Sequence, residues 1–205
     1  MNRILILMAS GWSAAMAIAQ GPPNMTPTIL MGPSDWRFES MPTPPGFAPD
    51  IKLTGFEEAR FAPGMFDNTS PNYFTYVLVI SADGAPDLGT AALKNILEKY
   101  YRGLSVGLGR QKGLSSDPAQ MNAEVAPAQG DKTRRTAKVT FIDTFTDGRK
   151  ISLNIEAHIV PGEAHIVAKP AAKKTGLILL VSPQPKDHAV WKILRDIDSK
   201  IEFPR

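Results

Sequence analysis

Two histidines and two glutamates recur at one spacing in a short stretch of this chain. Residues 156 to 167 read EAHIVPGEAHIV, so Glu156 and His158 are matched seven residues later by Glu163 and His165. Imidazole nitrogens and carboxylate oxygens ligate Zn²⁺ and Cu²⁺, provided that they converge. A hairpin would bring them together. On its first strand the odd positions Ile155, Ala157 and Ile159 are apolar; on its second the even positions Ala164, Ile166 and Ala168 are. The two sets share a face only if the loop has an even number of residues. A loop of Pro161-Gly162 alone sets His158 directly opposite His165, with Glu156 and Glu163 beside them and opposed Cβ atoms roughly 4.5–5.5 Å apart. A four-residue loop, Pro161 to Ala164, offsets the histidines diagonally. It suits proline better, because an L-proline at the first loop position cannot enter the primed turns of two-residue hairpins. A solvated polar face on an alternating hairpin accounts for the pattern. A Zn or Cu site built on His158, His165, Glu156 and Glu163 is the alternative.

Other candidate chemistry is thinner. His188 follows Asp187 near the start of a C-terminal helix, but no G-x-S-x-G elbow supplies a nucleophile, and Ser115, Ser116 and Ser182 have no visible partner. Glu57 and Glu58 are adjacent on a strand. They point to opposite faces and cannot flank one glycosidic bond. Gly103, Gly107, Gly109 and Gly113 lie among Arg102, Arg110 and Lys112. A phosphate cradle follows a strand and opens a helix, whereas this glycine run follows a helix. Asp143 falls on the apolar face of its strand and reads as a structural polar contact.

Composition narrows the classes. The chain has 205 residues, 43% of them hydrophobic, and a formal net charge of +3. That charge, with basic clusters as short as Lys132, Arg134 and Arg135 or Lys173 and Lys174, argues against nucleic acid as a partner. There is no cysteine, so neither a disulfide framework nor a thiol nucleophile exists. Met1-Asn2-Arg3, an apolar run of 16 residues and Ala17-Ile18-Ala19 before Gln20 follow the three-part pattern of a secretory signal peptide. The run is shorter than the roughly 20 residues that a spanning helix needs. The expectation is a secreted or periplasmic protein cleaved near Ala19-Gln20, with no membrane span in the mature chain. Lacking a catalytic constellation, it reads as a non-catalytic domain that binds a protein partner or a small ligand. A hydrolase whose site residues are scattered along the chain is a further alternative.

The elements that must position these residues are legible by period. Residues 20 to 50 are proline-rich and resist helix. Within them Trp36 and Phe38 alternate with Arg37 and Glu39, which predicts a short strand docking its aromatic side. Ile51 and Leu53 suggest a strand, Gly55 a bend, and residues 56 to 62 a second strand ending at Pro63-Gly64. Residues 72 to 81, NYFTYVLVIS, predict a central strand covered on both sides. Asp87 is the expected cap of a middle helix over about 87 to 102, closed by Gly103 and Leu104. Residues 113 to 134 read as a polar loop.

Two strands then surround Thr146-Asp147-Gly148. Only an odd, three-residue loop with Gly148 as its left-handed residue puts Val139, Phe141 and Phe145 on one face with Ile151, Leu153 and Ile155. Residues 176 to 182 predict an interior strand. A final helix capped at Asp187 carries the stripe Val190, Ile193, Leu194, Ile197 and Ile201. The expected fold is therefore α+β: a mostly antiparallel β-sheet with a middle helix (87–102) and a C-terminal helix (187–201) packed on it. Residues 1–19 form the signal peptide, 20–50 an extension and 51–205 the single domain.

Overall fold

A computed structural model describes residues 26–114, 116–161 and 173–203. The segment read as a signal peptide, Ser115, Glu163 and His165 lie outside them. Seven strands form one antiparallel sheet: β1 (Arg37–Thr43), β2 (Gly55–Phe61), β3 (Tyr76–Asp83), β4 (Asn122–Ala128), β5 (Asp131–Ile142), β6 (Lys150–Val160) and β7 (Lys174–Ser182). Their spatial order is β1-β2-β3-β7-β6-β5-β4, so β1 and β4 are the edges. With α1 (Thr90–Lys112) and α2 (Ala189–Ser199), this is the expected α+β architecture with one middle and one C-terminal helix.

The sheet separates two cores. Strands β3 and β7 are covered on both sides, which is why their sequences are apolar at successive positions. On one side Leu78, Ile80, Leu177, Leu179 and Val181 meet Val139, Phe141, Leu153 and Ile155, together with Leu93, Leu97 and Tyr101 of α1. On the other side Val77, Val79, Ile178 and Leu180 meet Val190, Trp191, Leu194 and Ile197 of α2, with Ile29, Leu30 and Trp36 from the segment ahead of β1. Each fully buried Leu or Ile side chain contributes roughly 1.5–3 kcal/mol by leaving water.

That leading segment is tied down as a strap. The Glu58 carboxylate accepts hydrogen bonds from Thr28 N at 2.8 Å, Ile29 N at 3.0 Å and Leu30 N at 2.8 Å, as well as from Thr28 Oγ1 at 2.7 Å. The Arg60 guanidinium donates to the carbonyls of Leu30 and Trp36. Glu57 and Glu58 do point to opposite faces, and both are buried.

Several expectations need correction. The Ile51–Leu53 strand is absent, and β2 begins only at Gly55. Asp87 does not cap α1 directly: the N-cap is Gly89, whose N–H donates to Asp87 Oδ1 at 2.8 Å. The helix does not end at Arg102. It continues through the glycine run to Lys112 and closes on a left-handed Gly113 at φ +68°. Gly103 sits inside the helix because the chain between β1 and β2 presses on it: a methyl group there would lie 2.1 Å from the Phe47 carbonyl oxygen. Gly103 is thus a packing position and not the helix end, which is Gly113.

Residues 113–134 are not a loop. They hold a short 3-10 turn at Pro118–Gln120, β4 and the start of β5. Ala123 and Val125 do alternate there, but a small-residue strand carrying Pro127 has little β signal. Between β5 and β6 the odd-with-odd pairing holds, Val139 with Leu153 and Phe141 with Ile151. The loop itself is longer than three residues, spanning 143 to 149, with Gly148 at φ +76°. Asp143 closes it, as a buried acceptor for the Tyr73 and Thr146 hydroxyls and for Phe145 N. At α2 the cap is His188, which accepts from Val190 N at 3.2 Å. Ile193 is exposed, and Trp191 and Asp198 are buried in its place.

Candidate functional site

The strand carrying the first EAHIV is β6, and both its edges are occupied at His158. Arg134 of β5 is paired with it on one side and Ile178 of β7 on the other. In the described sheet the neighbours of His158 are thus Arg134 and Ile178. His165 and Glu163 lie outside the described residues. Among the described residues no group of three or more His, Asp or Glu side chains is placed to hold a metal ion.

His158 and Glu156 share the α2 side of β6, and each is engaged. His158 Nδ1 lies 2.9 Å from Asp198 Oδ1, and Arg134 Nη1 lies 2.8 Å from Asp198 Oδ2. Burial would raise the Asp198 carboxyl, but His158 and Arg134 together hold it below its ordinary value. Arg195 grips Glu156 through two bonds, Nε to Oε2 at 3.0 Å and Nη2 to Oε1 at 2.7 Å. Burial would raise Glu156 too, and Arg195 with Lys186 keeps it low. Lys186 Nζ lies 3.5 Å from the Trp191 ring centroid and 3.2 Å from Glu156 Oε1, without hydrogen-bond geometry to it. Burial lowers the Lys186 amine to about 8, against the pull of Glu156. Both acids therefore fasten the edge of α2 to β6. A metal there would have to displace Arg195 from Glu156 and bind beside the Arg134 guanidinium.

Beyond that seam the sheet changes character. Helix α2 packs on β3 and β7 and reaches β5 at Arg134, while Asn122, Glu124, Ala126, Thr136 and Lys138 on the same face are exposed. Registered rows present Asn122, Thr140 and Ser152, then Glu124, Lys138 and Asn154, then Ala126, Thr136 and Glu156. Most of these side chains are exposed. Short hydroxyls and amides predominate, with Glu124 and Lys138 opposed. This polar face explains why β4 and β5 alternate, while β3 and β7 do not.

A second cluster lies on the α1 side of the other half of the sheet. Glu39 of edge strand β1 and Glu57 of β2 both point there, with Tyr100 of α1 above them. Tyr100 Oη donates to Glu57 Oε1 at 3.0 Å. Glu57 Oε2 and Thr43 Oγ1 are buried without a hydrogen-bond partner. Burial pushes Glu57 up to about 8; the Tyr100 and Thr43 hydroxyls oppose this and Glu39 adds to it. The Thr43 hydroxyl is thus near enough to act on Glu57 through space, although it makes no bond of good geometry. Burial lifts Glu39 to about 7, against Arg37, whose Nη2 is 2.5 Å from its Oε1. Behind them Tyr76 and Tyr101 share a hydroxyl contact of 2.5 Å.

A reading of the sequence passes over this cluster. Alternation with Trp36 and Phe38 places Glu39 in solvent if only one side of β1 is covered. Asp198 escapes for a related reason: it is buried on α2, where charge ordinarily signals solvent.

An α+β protein with one seven-stranded antiparallel sheet and two helices is what the architecture defines. Comparison with protein-family models, with curated proteins and with solved structures found no match. Among the described residues no helix is long and apolar enough to cross a membrane.

Proposed function

We propose that this chain is a secreted or periplasmic binding domain without chemistry of its own, and that it meets its partner on the α2-side face of β4, β5 and β6. The observation that carries the reading is the half-face itself, with Thr136, Lys138, Thr140 and Ser152 presented in register beside the α2 seam. Short polar side chains suit an exposed sheet face, and such a surface offers hydrogen bonds at little entropic cost. The N-terminal pattern around Ala17-Ile18-Ala19 supports export.

A photo-crosslinking amino acid at Thr136 or Ser152, in the protein expressed in its native host, tests the surface. A discrete adduct from those positions, with none from Lys94 on the exposed side of α1, is the expected result. Adducts equally abundant from Lys94, or none at Thr136 and Ser152, would remove the proposed surface. N-terminal sequencing of the exported chain should begin near Gln20. Retention of Met1 in the exported protein would overturn the cleavage.

A further inference from the structure

The Glu39–Glu57 cluster is unused by the binding surface, which lies across the sheet. Glu57 is 1% exposed, and its carboxyl takes one hydrogen bond, from the Tyr100 phenol, while Oε2 takes none. A buried carboxylate without a cation is costly, and a neutral carboxyl is the form that tolerates such a place. The groups that face it are few. Strand β1 brings Glu39 with Arg37 and Thr43. Strand β3 brings Tyr76, and α1 brings Tyr100 and Tyr101. The two phenols on Glu57's side, Tyr76 and Tyr100, are pushed well above their ordinary values, first by burial, so they stay neutral alongside it. Arg37 is the cation of the cluster, and it is drawn to Glu39.

The two acids straddle the outermost seam of the sheet on this side, between edge strand β1 and β2. Glu39 is on an edge strand held by β2 alone, and its pairing partner is Ala59, two residues from Glu57 on the same face. Side chains in that diagonal relation reach each other. If both acids are ionised, two negative charges sit across this seam, and the guanidinium of Arg37 is paired with Glu39.

We propose that Glu57, with Glu39, is a proton-operated catch on the edge strand: neutral, it lets β1 close on β2; ionised, it opens β1 locally. The device stands on the position of the two carboxyls at the seam, on their burial and on the missing partner of Glu57 Oε2. The elevation of Glu57 to about 8 places the opening at mildly alkaline pH.

Amide hydrogen exchange of residues 37–43 in the full mature chain, at pH 6 and pH 9 and corrected for intrinsic exchange, tests it. With a value of about 8 when closed and the ordinary 4.5 when open, Glu57 alone favours opening about 100-fold more at pH 9 than at pH 6, so β1 protection should fall by up to about that factor. The amides of β4, the other edge, should keep theirs. In Glu57→Gln, a neutral isostere, only the share of Glu39 remains, so β1 protection should fall by no more than about tenfold between the two pH values. Equal β1 protection at both pH values in the parent chain overturns the proposal, as does an undiminished fall in Glu57→Gln. Should that variant fail to fold, ¹³C titration of the Glu57 carboxyl in the parent chain decides: a midpoint at or above about 7 supports the catch and one below that ends it.

Discussion

Gly103 of α1 lies against the Phe47 carbonyl so closely that a methyl group would sit 2.1 Å from the oxygen. Gly107, one turn on, leaves 3.6 Å to Phe47 Cβ. The same substitution should therefore have opposite signs at the two positions. Gly103→Ala forces the β1–β2 connection off the helix and should cost about 1–3 kcal/mol, the range for overpacking. Gly107→Ala should gain about 0.5–1 kcal/mol through helix propensity. Urea unfolding of both variants checks the pair, and equal effects would mean that the contact does not constrain the helix.

The pH dependence of stability follows from the raised carboxyls. For Glu57 and Glu39 the folded values, about 8 and about 7, exceed the ordinary value of 4.5. The folded state thus holds more protons, and stability must fall as pH rises between those limits. The contribution is fully present below about 4.5 and gone above about 8. Asp198 and Glu156 act oppositely, because their ion pairs hold them low, and their contribution disappears as acid protonates them. Thermal unfolding across the range from acid to mildly alkaline pH should show the alkaline fall in the parent chain and a flatter curve in Glu57→Gln.

The strap depends on one carboxylate. Replacing Glu58 with Ala leaves Thr28 N, Ile29 N and Leu30 N without their acceptor. Buried donors left unmatched make this a loss on the order of 2–4 kcal/mol. Limited proteolysis should cut first within residues 26–36 in that variant, while Glu58→Gln, which keeps an acceptor oxygen, should be milder.

Metal titration separates the two readings of the duplicated pentamer. His158 Nδ1 is turned to Asp198, and Glu156 is held by Arg195, so Zn²⁺ or Cu²⁺ should bind no tighter than about 10 μM, roughly −7 kcal/mol. Tighter binding that is lost in His158→Ala/His165→Ala would restore the metal centre.

What the sequence made legible was whatever a periodic pattern reports. The interior strands β3 and β7 stand out because burial on both faces demands continuous apolar residues. The odd pairing of β5 with β6 follows from parity, which survives a change of loop length by an even number. Ends were harder. Gly103 is a conventional helix terminator, yet its role is set by Phe47, far away in the chain. The site was harder still. Arg134, His158 and Asp198 come from three elements, and Glu39 and Glu57 from two, so no local spacing joins them. The duplicated pentamer had a strong local pattern, but only its first half is described, on β6 with β7 along one edge.

β7 also sets the order in which the molecule can be completed. It contributes Leu177, Leu179 and Val181 to one core and Ile178 and Leu180 to the other, and it joins β3 to β6. A growing chain that ends before residue 174 can make hairpins, but it can finish neither hydrophobic layer. The strap at residues 28–36 waits longer, since Ile29, Leu30 and Trp36 share a core with Val190, Trp191 and Leu194. A segment synthesised early, and tied to β2 through Glu58 and Arg60, thus completes its core only once the final helix has been made.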